Sequence, residues 1–237
     1  MPARPPGFRV ALYYAPSPHD TLAIAGAAWL GRDAETGARV AQPAIPGIDS
    51  VTAEARIYGF HATLKPPMRL TTDWATFLGD VESLATRLAP FDLPPLRVAE
   101  LGGFLAVVEA GPSPALRALA DAAVEGVDRH RLPPDTAELA KRRRIPLSVT
   151  EDAMLQRWGY PYVFDTWRFH MTLSRRLTDE ELAVFHPAAA AHFAGALAAP
   201  RRVTELCVFT QAASADGPAP FLIAERFPLR DGRPPSP

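Results

Sequence analysis

Over Phe8–Ala15 the chain is β-prone and its side chains alternate, which predicts a first strand. Turn chemistry follows in Pro16-Ser-Pro-His-Asp20, where Ser17 or Asp20 can cap a helix running to about Leu30. Gly31–Ser50 is rich in Gly and Pro and reads as a long surface loop. A second strand is predicted over Ile57–Lys65, stopped or bent by Pro66-Pro67. Helical periodicity returns over Trp74–Leu88. Leu96–Glu100 and Phe104–Glu109 then read as a hairpin turned at Gly102-Gly103. Ser113 caps an Ala/Leu-rich helix to Asp128, with Pro114 in its first turn. Pro133–Gly159 is polar and helical, in two pieces: Glu138–Arg144, then Asp152–Trp158 after a fresh start at Ser148 or Thr150.

The last third repeats the alternation. Trp167–Ser174 is a strand. Thr178-Asp-Glu-Glu181 has the form of a capping box ahead of an Ala-rich helix ending near Ala198. Val203–Gln211 and Phe221–Leu229 are terminal strands, and the tail, residues 231–237, is expected to be disordered. Strands and helices alternate with hairpins between them, so the fold class is α+β with mainly antiparallel sheet. No linker marks a boundary, so residues 1–230 are expected to form one domain.

Composition narrows the picture. The chain has 237 residues and a formal charge of −1, which leaves room for a real core and gives no global nucleic-acid footprint. Its single cysteine, Cys207, lies in a strand and is expected to be a buried structural thiol. No signal-peptide pattern opens the chain and no stretch is suited to span a bilayer, so a cytoplasmic location and no membrane partner are expected. No Gly-rich phosphate loop, zinc-ligand spacing or nucleophile elbow is found; no metal or cofactor is expected.

The chemistry sits in two matching segments, Phe60-His-Ala-Thr-Leu64 and Phe169-His-Met-Thr-Leu173. Residues two apart share a strand face, so His61, Thr63 and Lys65 are predicted on one face, and Arg168, His170, Thr172 and Ser174 on another. Imidazoles titrate near neutrality; one can take a proton from an attacking hydroxyl or water while the other protonates the departing oxygen. Thr63 and Thr172 can donate to phosphate oxygens, and Lys65 or Arg168 can offset charge in the transition state. A third copy, His19-Asp-Thr-Leu22, follows a turn and opens a helix, so His19 and Thr21 do not share a strand face. Tyr160 and Tyr162 are candidates to stack on a base or line a cleft. Tyr58 has the wrong parity for the His61 face of a regular strand. The basic run Lys141–Arg144 can guide a polyanion, but a solvated helix face is the favoured reading.

The paired segments resemble those of the two-histidine (2H) phosphoesterase superfamily, which includes RNA 2′,3′-cyclic phosphodiesterases and 2′-5′ RNA ligase-like proteins. Further blocks resemble its phosphonate metabolism branch: Ala28-Trp-Leu-Gly-Arg-Asp33, Tyr58-Gly-Phe-His-Ala-Thr-Leu-Lys-Pro-Pro67, Leu101-Gly-Gly-Phe-Leu-Ala106, Arg157-Trp-Gly-Tyr-Pro-Tyr162 and Arg168-Phe-His-Met-Thr-Leu173. The resemblance implies a bilobal, pseudo-two-fold fold with antiparallel sheets flanking a central cleft and helices outside. It also implies metal-independent phosphodiester or cyclic-phosphate chemistry at His61 and His170. The spacing between motifs suggests a helical insert over about 113–159. Two substrate classes stay open, a small phosphorylated sugar or nucleotide and an RNA end. So does a phosphate- or RNA-binding module without turnover. A monomer is expected.

Overall fold

The computed structural model describes residues 8–215 and 217–230. The expected disordered tail, 231–237, lies outside the described residues. Among the described residues nine strands form: β1 (Arg9–Tyr14), β2 (Ala62–Met68), β3 (Phe91–Asp92), β4 (Leu96–Leu101), β5 (Phe104–Glu109), β6 (His170–Arg176), β7 (Arg202–Val203), β8 (Glu205–Gln211) and β9 (Phe221–Pro228). Seven α-helices among the same residues join them: α1 (Thr21–Leu30), α2 (Ile48–Tyr58), α3 (Trp74–Ala85), α4 (Pro114–Val127), α5 (Thr136–Arg142), α6 (Val149–Trp158) and α7 (Asp179–Ala198).

The fold is α+β. Seven strands make one antiparallel sheet in the order β4-β5-β6-β2-β1-β8-β9, and β3 pairs with β7 in a small second sheet. The large sheet has two halves, β4-β5-β6 and β2-β1-β8-β9, which meet where Ala62 of β2 pairs with Met171 of β6. The indole N–H of Trp167 donates to the carbonyl of Thr63 at 2.8 Å and ties the halves together beside that pair.

Local chemistry accounts for most element ends. Asp20 caps α1 by accepting from the Leu22 amide, which removes His19-Asp-Thr-Leu22 from strand geometry. Ser113, Ser148 and Thr178 cap α4, α6 and α7, the last two with reciprocal boxes through Glu151 and Glu181. Gly102 and Gly103, both at positive φ, turn the β4–β5 hairpin.

One stretch departs from the expectation. Residues 48–58 are helical, not loop followed by strand. Ile48, Val51, Thr52 and Ala55 bury one face of α2 at helical spacing. Gly59, at φ +79° and ψ 177°, then breaks the helix in a conformation open almost only to glycine. A Cβ there would lie 2.8 Å from that of Ala34.

The two faces of β1 divide the interior. Val10, Leu12 and Tyr14 join the main core, with Leu116, Leu119 and Ala123 of α4 and Phe185 and Phe193 of α7. Ala11, Tyr13 and Ala15 join a smaller cluster with Cys207, Phe209 and Phe221. Cys207 is fully buried and burial pushes its thiol up to about 11, as befits a structural cysteine. No helix among the described residues is long and apolar enough to cross a membrane.

Candidate active site

β2 and β6 run antiparallel, so the pair Ala62–Met171 lies on a local two-fold axis. That axis exchanges His61 with His170 and Thr63 with Thr172. One residue to either side of the pair, the same register sets His61 across from Thr172 and Thr63 across from His170. All four side chains line one cleft of about 310 Å³, together with Tyr13, Tyr58, Arg142, Tyr160 and Ser174.

The two imidazoles are held by the same device. His61 Nδ1 lies 2.9 Å from the carbonyl oxygen of Gly59, and His170 Nδ1 lies 2.9 Å from that of Arg168. A carbonyl only accepts, so each Nδ1 carries the proton and each Nε2 keeps a free lone pair in the neutral ring. His61 Nε2 is 3.2 Å from the Thr63 hydroxyl. Gly59 therefore serves twice, ending α2 and presenting the carbonyl that orients His61.

Burial sets the charge state. His61 is buried, and loss of solvent pushes its pKa from 6.5 down to about 4, with the charges of His170 and Arg32 acting in the same direction. His170 is half-buried and is also lowered, again chiefly by burial. A proton in the cleft is thus held more cheaply on His170.

Three further residues join the site, of which Tyr13 has no linear signal. The buried ring of Tyr13 stacks on His61, and its phenol is pushed well above its usual pKa by burial, then by neighbouring Tyr58 and Tyr160. Arg142, the last residue of α5, lies over the Tyr160 ring with its guanidinium carbon 4.8 Å from the centroid. The basic run is thus partly a cleft wall rather than wholly a solvated face. Tyr58 joins the cleft from the end of α2, where strand parity does not apply.

Three expected residues sit elsewhere. Lys65 does not share the face of His61. Opposed residues share a face, and Leu12 opposes Lys65 while its neighbour Tyr13 opposes Thr63. One step along β1 therefore spans two along β2, and this bulge turns Lys65 to the opposite face. There its fully buried ammonium donates to Asp128 at 2.6 Å and to the Val124 carbonyl at 3.2 Å, near the C-terminal end of α4. Arg168 precedes β6; its side chain is exposed and does not line the cleft, and its contribution is the backbone carbonyl that holds His170. Tyr162 is exposed and packs edge-on against Tyr160, outside the histidine cleft. Tyr160, Thr63, Thr172 and both histidines do come together. No group of three or more His, Cys, Asp or Glu among the described residues is arranged to hold a metal ion.

A family model described as "Protein of unknown function (DUF1045)" matches residues 63–218. Over 232 residues the chain is 39% identical to a ribose 1,5-bisphosphate phosphokinase PhnN of Janthinobacterium sp. (strain Marseille), covering 93% of this chain and 51% of that protein. Another protein of the same name, from Laribacter hongkongensis (strain HLHK9), is 38% identical over 212 residues, covering 87% and 50%. The chain spans about half the length of the curated relatives it matches. Among solved structures, E. coli LigT complexed with 3′-AMP is 12% identical with a TM-score of 0.43, covering 94% of this chain and 98% of that one.

Proposed function

The chain belongs to the DUF1045 family, and we propose that it is a two-histidine phosphoesterase, metal-independent, cleaving a phosphodiester or cyclic phosphate of a small phosphorylated sugar. The observation that carries this reading is the two-fold-related pair of histidines, each with Nδ1 fixed on a carbonyl and Nε2 unprotonated in the neutral ring, beside two threonine hydroxyls in one cleft.

His61 is the general base and His170 the general acid. His61 is neutral near pH 7 and its Nε2 accepts the proton of a water. The water oxygen bonds to phosphorus as the bond to the leaving oxygen breaks. His170, where the cleft holds a proton more cheaply, donates it from Nε2 to that oxygen. Thr63 and Thr172 donate to the non-bridging oxygens. An anionic substrate raises the pKa of both rings on binding, which supplies the protonated acid.

The cleft volume suits a small molecule rather than a long strand. The name of the curated relatives points to phosphorylated ribose as the substrate class, in keeping with a place in phosphonate metabolism. Their phosphokinase activity belongs to proteins about twice as long, and this chain has no Gly-rich loop of the P-loop kind.

The test is turnover of cyclic ribose phosphates and 2′,3′-cyclic nucleotides followed by phosphorus NMR, with His61→Ala and His170→Ala as controls. Hydrolysis by the wild-type chain and its loss in both variants, with folding intact, is expected. Undiminished hydrolysis in both variants overturns the assignment. Saturable binding without product makes the chain a binding module, and a strong preference for cyclic-ended RNA makes it an RNA-end enzyme.

A further inference from the structure

A second and larger cavity, about 440 Å³, opens off the histidine cleft and shares with it Arg9, Tyr58, Pro67, Arg142 and Tyr160. Its remaining lining mixes apolar residues, among them Met68, Leu132, Ile145 and Tyr162, with three cations. Arg69, Arg131 and Lys141 face it, against one carboxylate, Glu138. Glu138 is already engaged: it pairs with Arg69 at 3.1 Å and accepts from the Asp135 amide in the capping box of α5. Arg131 is likewise occupied, held by Asp128 through two hydrogen bonds.

Three cations are left over. Among the described residues Arg9 bonds to the neutral amide oxygen of Gln211 alone and lies over Phe221. Lys141 is exposed at the end of α5, with no carboxylate within ion-pair distance among the described residues. Arg142 is half-buried, stacked over Tyr160, and also without a carboxylate. Stacking fixes the plane of a guanidinium while leaving its N–H edges free to bind an oxyanion in bidentate fashion. Arg9 and Arg142 stand in both cavities, at the junction between the histidines and the basic chamber.

We propose that this chamber is a binding site for a second phosphate group, so that the substrate is a cyclic phosphate or phosphodiester carrying a separate phosphomonoester. The proposal rests on the phosphoesterase reading for the first phosphate and on the chamber's own charge for the second. The phosphomonoester sits between Arg142, Lys141 and Arg9, while the scissile phosphorus lies over the Ala62–Met171 seam. The chamber selects substrates by charge and position, and the histidines carry the bond cleavage.

The experiment compares ribose 2,3-cyclic phosphate with its 5-phosphorylated counterpart, on the wild-type chain and on Arg142→Ala, Arg142→Lys and Lys141→Ala. In the wild type the 5-phosphate is expected to raise kcat/KM by roughly 10- to 100-fold, the worth of one or two charge-assisted hydrogen bonds. That ratio falls towards one in Arg142→Ala, falls partly in Lys141→Ala, and is partly restored by Arg142→Lys. Equal kcat/KM for the two compounds in the wild type overturns the proposal. So does an unchanged ratio in both alanine variants. Higher kcat/KM for a cyclic-ended oligoribonucleotide than for the 5-phosphorylated compound overturns it in favour of a strand-binding groove. If neither compound is turned over, the phosphoesterase reading fails, and calorimetric binding of the same two compounds decides the chamber separately. Tighter binding of the 5-phosphorylated compound, lost in Arg142→Ala, upholds the chamber, and equal binding overturns it.

Discussion

The ring of Tyr13 stacks on the imidazole of His61, with centroids 3.8 Å apart and 24° between the planes. Tyr13 comes from β1, buried among Phe209 and Phe221, so a packed aromatic cluster fixes the position of His61. Burial holds its hydroxyl well above the usual phenol range, so it stays protonated across the working range.

Stacking and hydroxyl are separable. Tyr13→Phe is expected to keep most of the stacking, so kcat falls by only about 2- to 5-fold, at most the worth of one neutral hydrogen bond. Tyr13→Ala removes the ring and leaves a cavity beside His61. It should cost about 3–5 kcal/mol of stability and lower kcat beyond the Phe variant. Urea unfolding with steady-state kinetics on both variants checks this. Loss of all turnover in Tyr13→Phe would mean that the phenol touches the substrate.

Gly59 couples backbone conformation to the site. Its φ and ψ lie where a Cβ is strained, and the carbonyl that orients His61 is its own. Gly59→Ala is expected to cost roughly 1–3 kcal/mol in backbone strain alone, with further loss from the contact with Ala34. Because the peptide must rotate to relieve it, kcat should fall more than KM changes. Thermal unfolding and a kcat-against-KM comparison measure the two effects; a variant with native stability and native kcat contradicts the role given to this carbonyl.

Lys65 separates stability from chemistry. Its buried ammonium, lowered in pKa by burial and only partly held up by Asp128, spans from β2 to the end of α4. Lys65→Ala removes one of the two cations on Asp128, which Arg131 still pairs, and a loss of about 1–3 kcal/mol is expected. In whatever fraction stays folded, kcat is expected to remain within about twofold of wild type, the margin left by a change that breaks no transition-state hydrogen bond. Active-site titration alongside denaturant unfolding separates the two quantities. A collapse of kcat with stability unchanged would return Lys65 to the cleft.

The contrast between Lys65 and Thr63 shows where sequence reasoning reached its end. The hairpin at Gly102-Gly103 and the caps Asp20, Ser113, Ser148 and Thr178 were legible because each is settled within four or five residues. The histidine and threonine positions were legible because they flank one pairing and obey simple alternation. The bulge that turns Lys65 away depends on how β2 meets β1, about fifty residues earlier in the chain, and nothing in β2 alone marks it. Tyr13 and Arg9 reach the cleft from that same distant strand. α2 was legible in principle: Ile48, Val51, Thr52 and Ala55 have helical spacing. Its start at Gly47 has no side-chain cap, and the Pro and Gly residues before it point to loop.

The burial of His61 fixes a pH dependence of stability with a definite sign. In the unfolded chain the imidazole titrates near 6.5, and in the folded chain near 4. Between these values the unfolded state holds the extra proton, so stability rises with pH through this window and is constant above it. As pH falls from about 6.5 to about 4, the folded state loses up to about 3 kcal/mol at this one group. His170, also lowered, adds a loss of the same sign. His61→Gln removes the titrating group while keeping a planar polar side chain. The stability difference between wild type and variant, from urea unfolding at half-unit steps between pH 4 and 8, should therefore be flat above pH 7. Below that it should shift steadily against the wild type. Parallel curves across the whole range would mean that His61 takes up a proton as freely in the folded chain as in the unfolded one. His61 would then titrate near its ordinary 6.5, and burial would no longer distinguish it from His170 as the base.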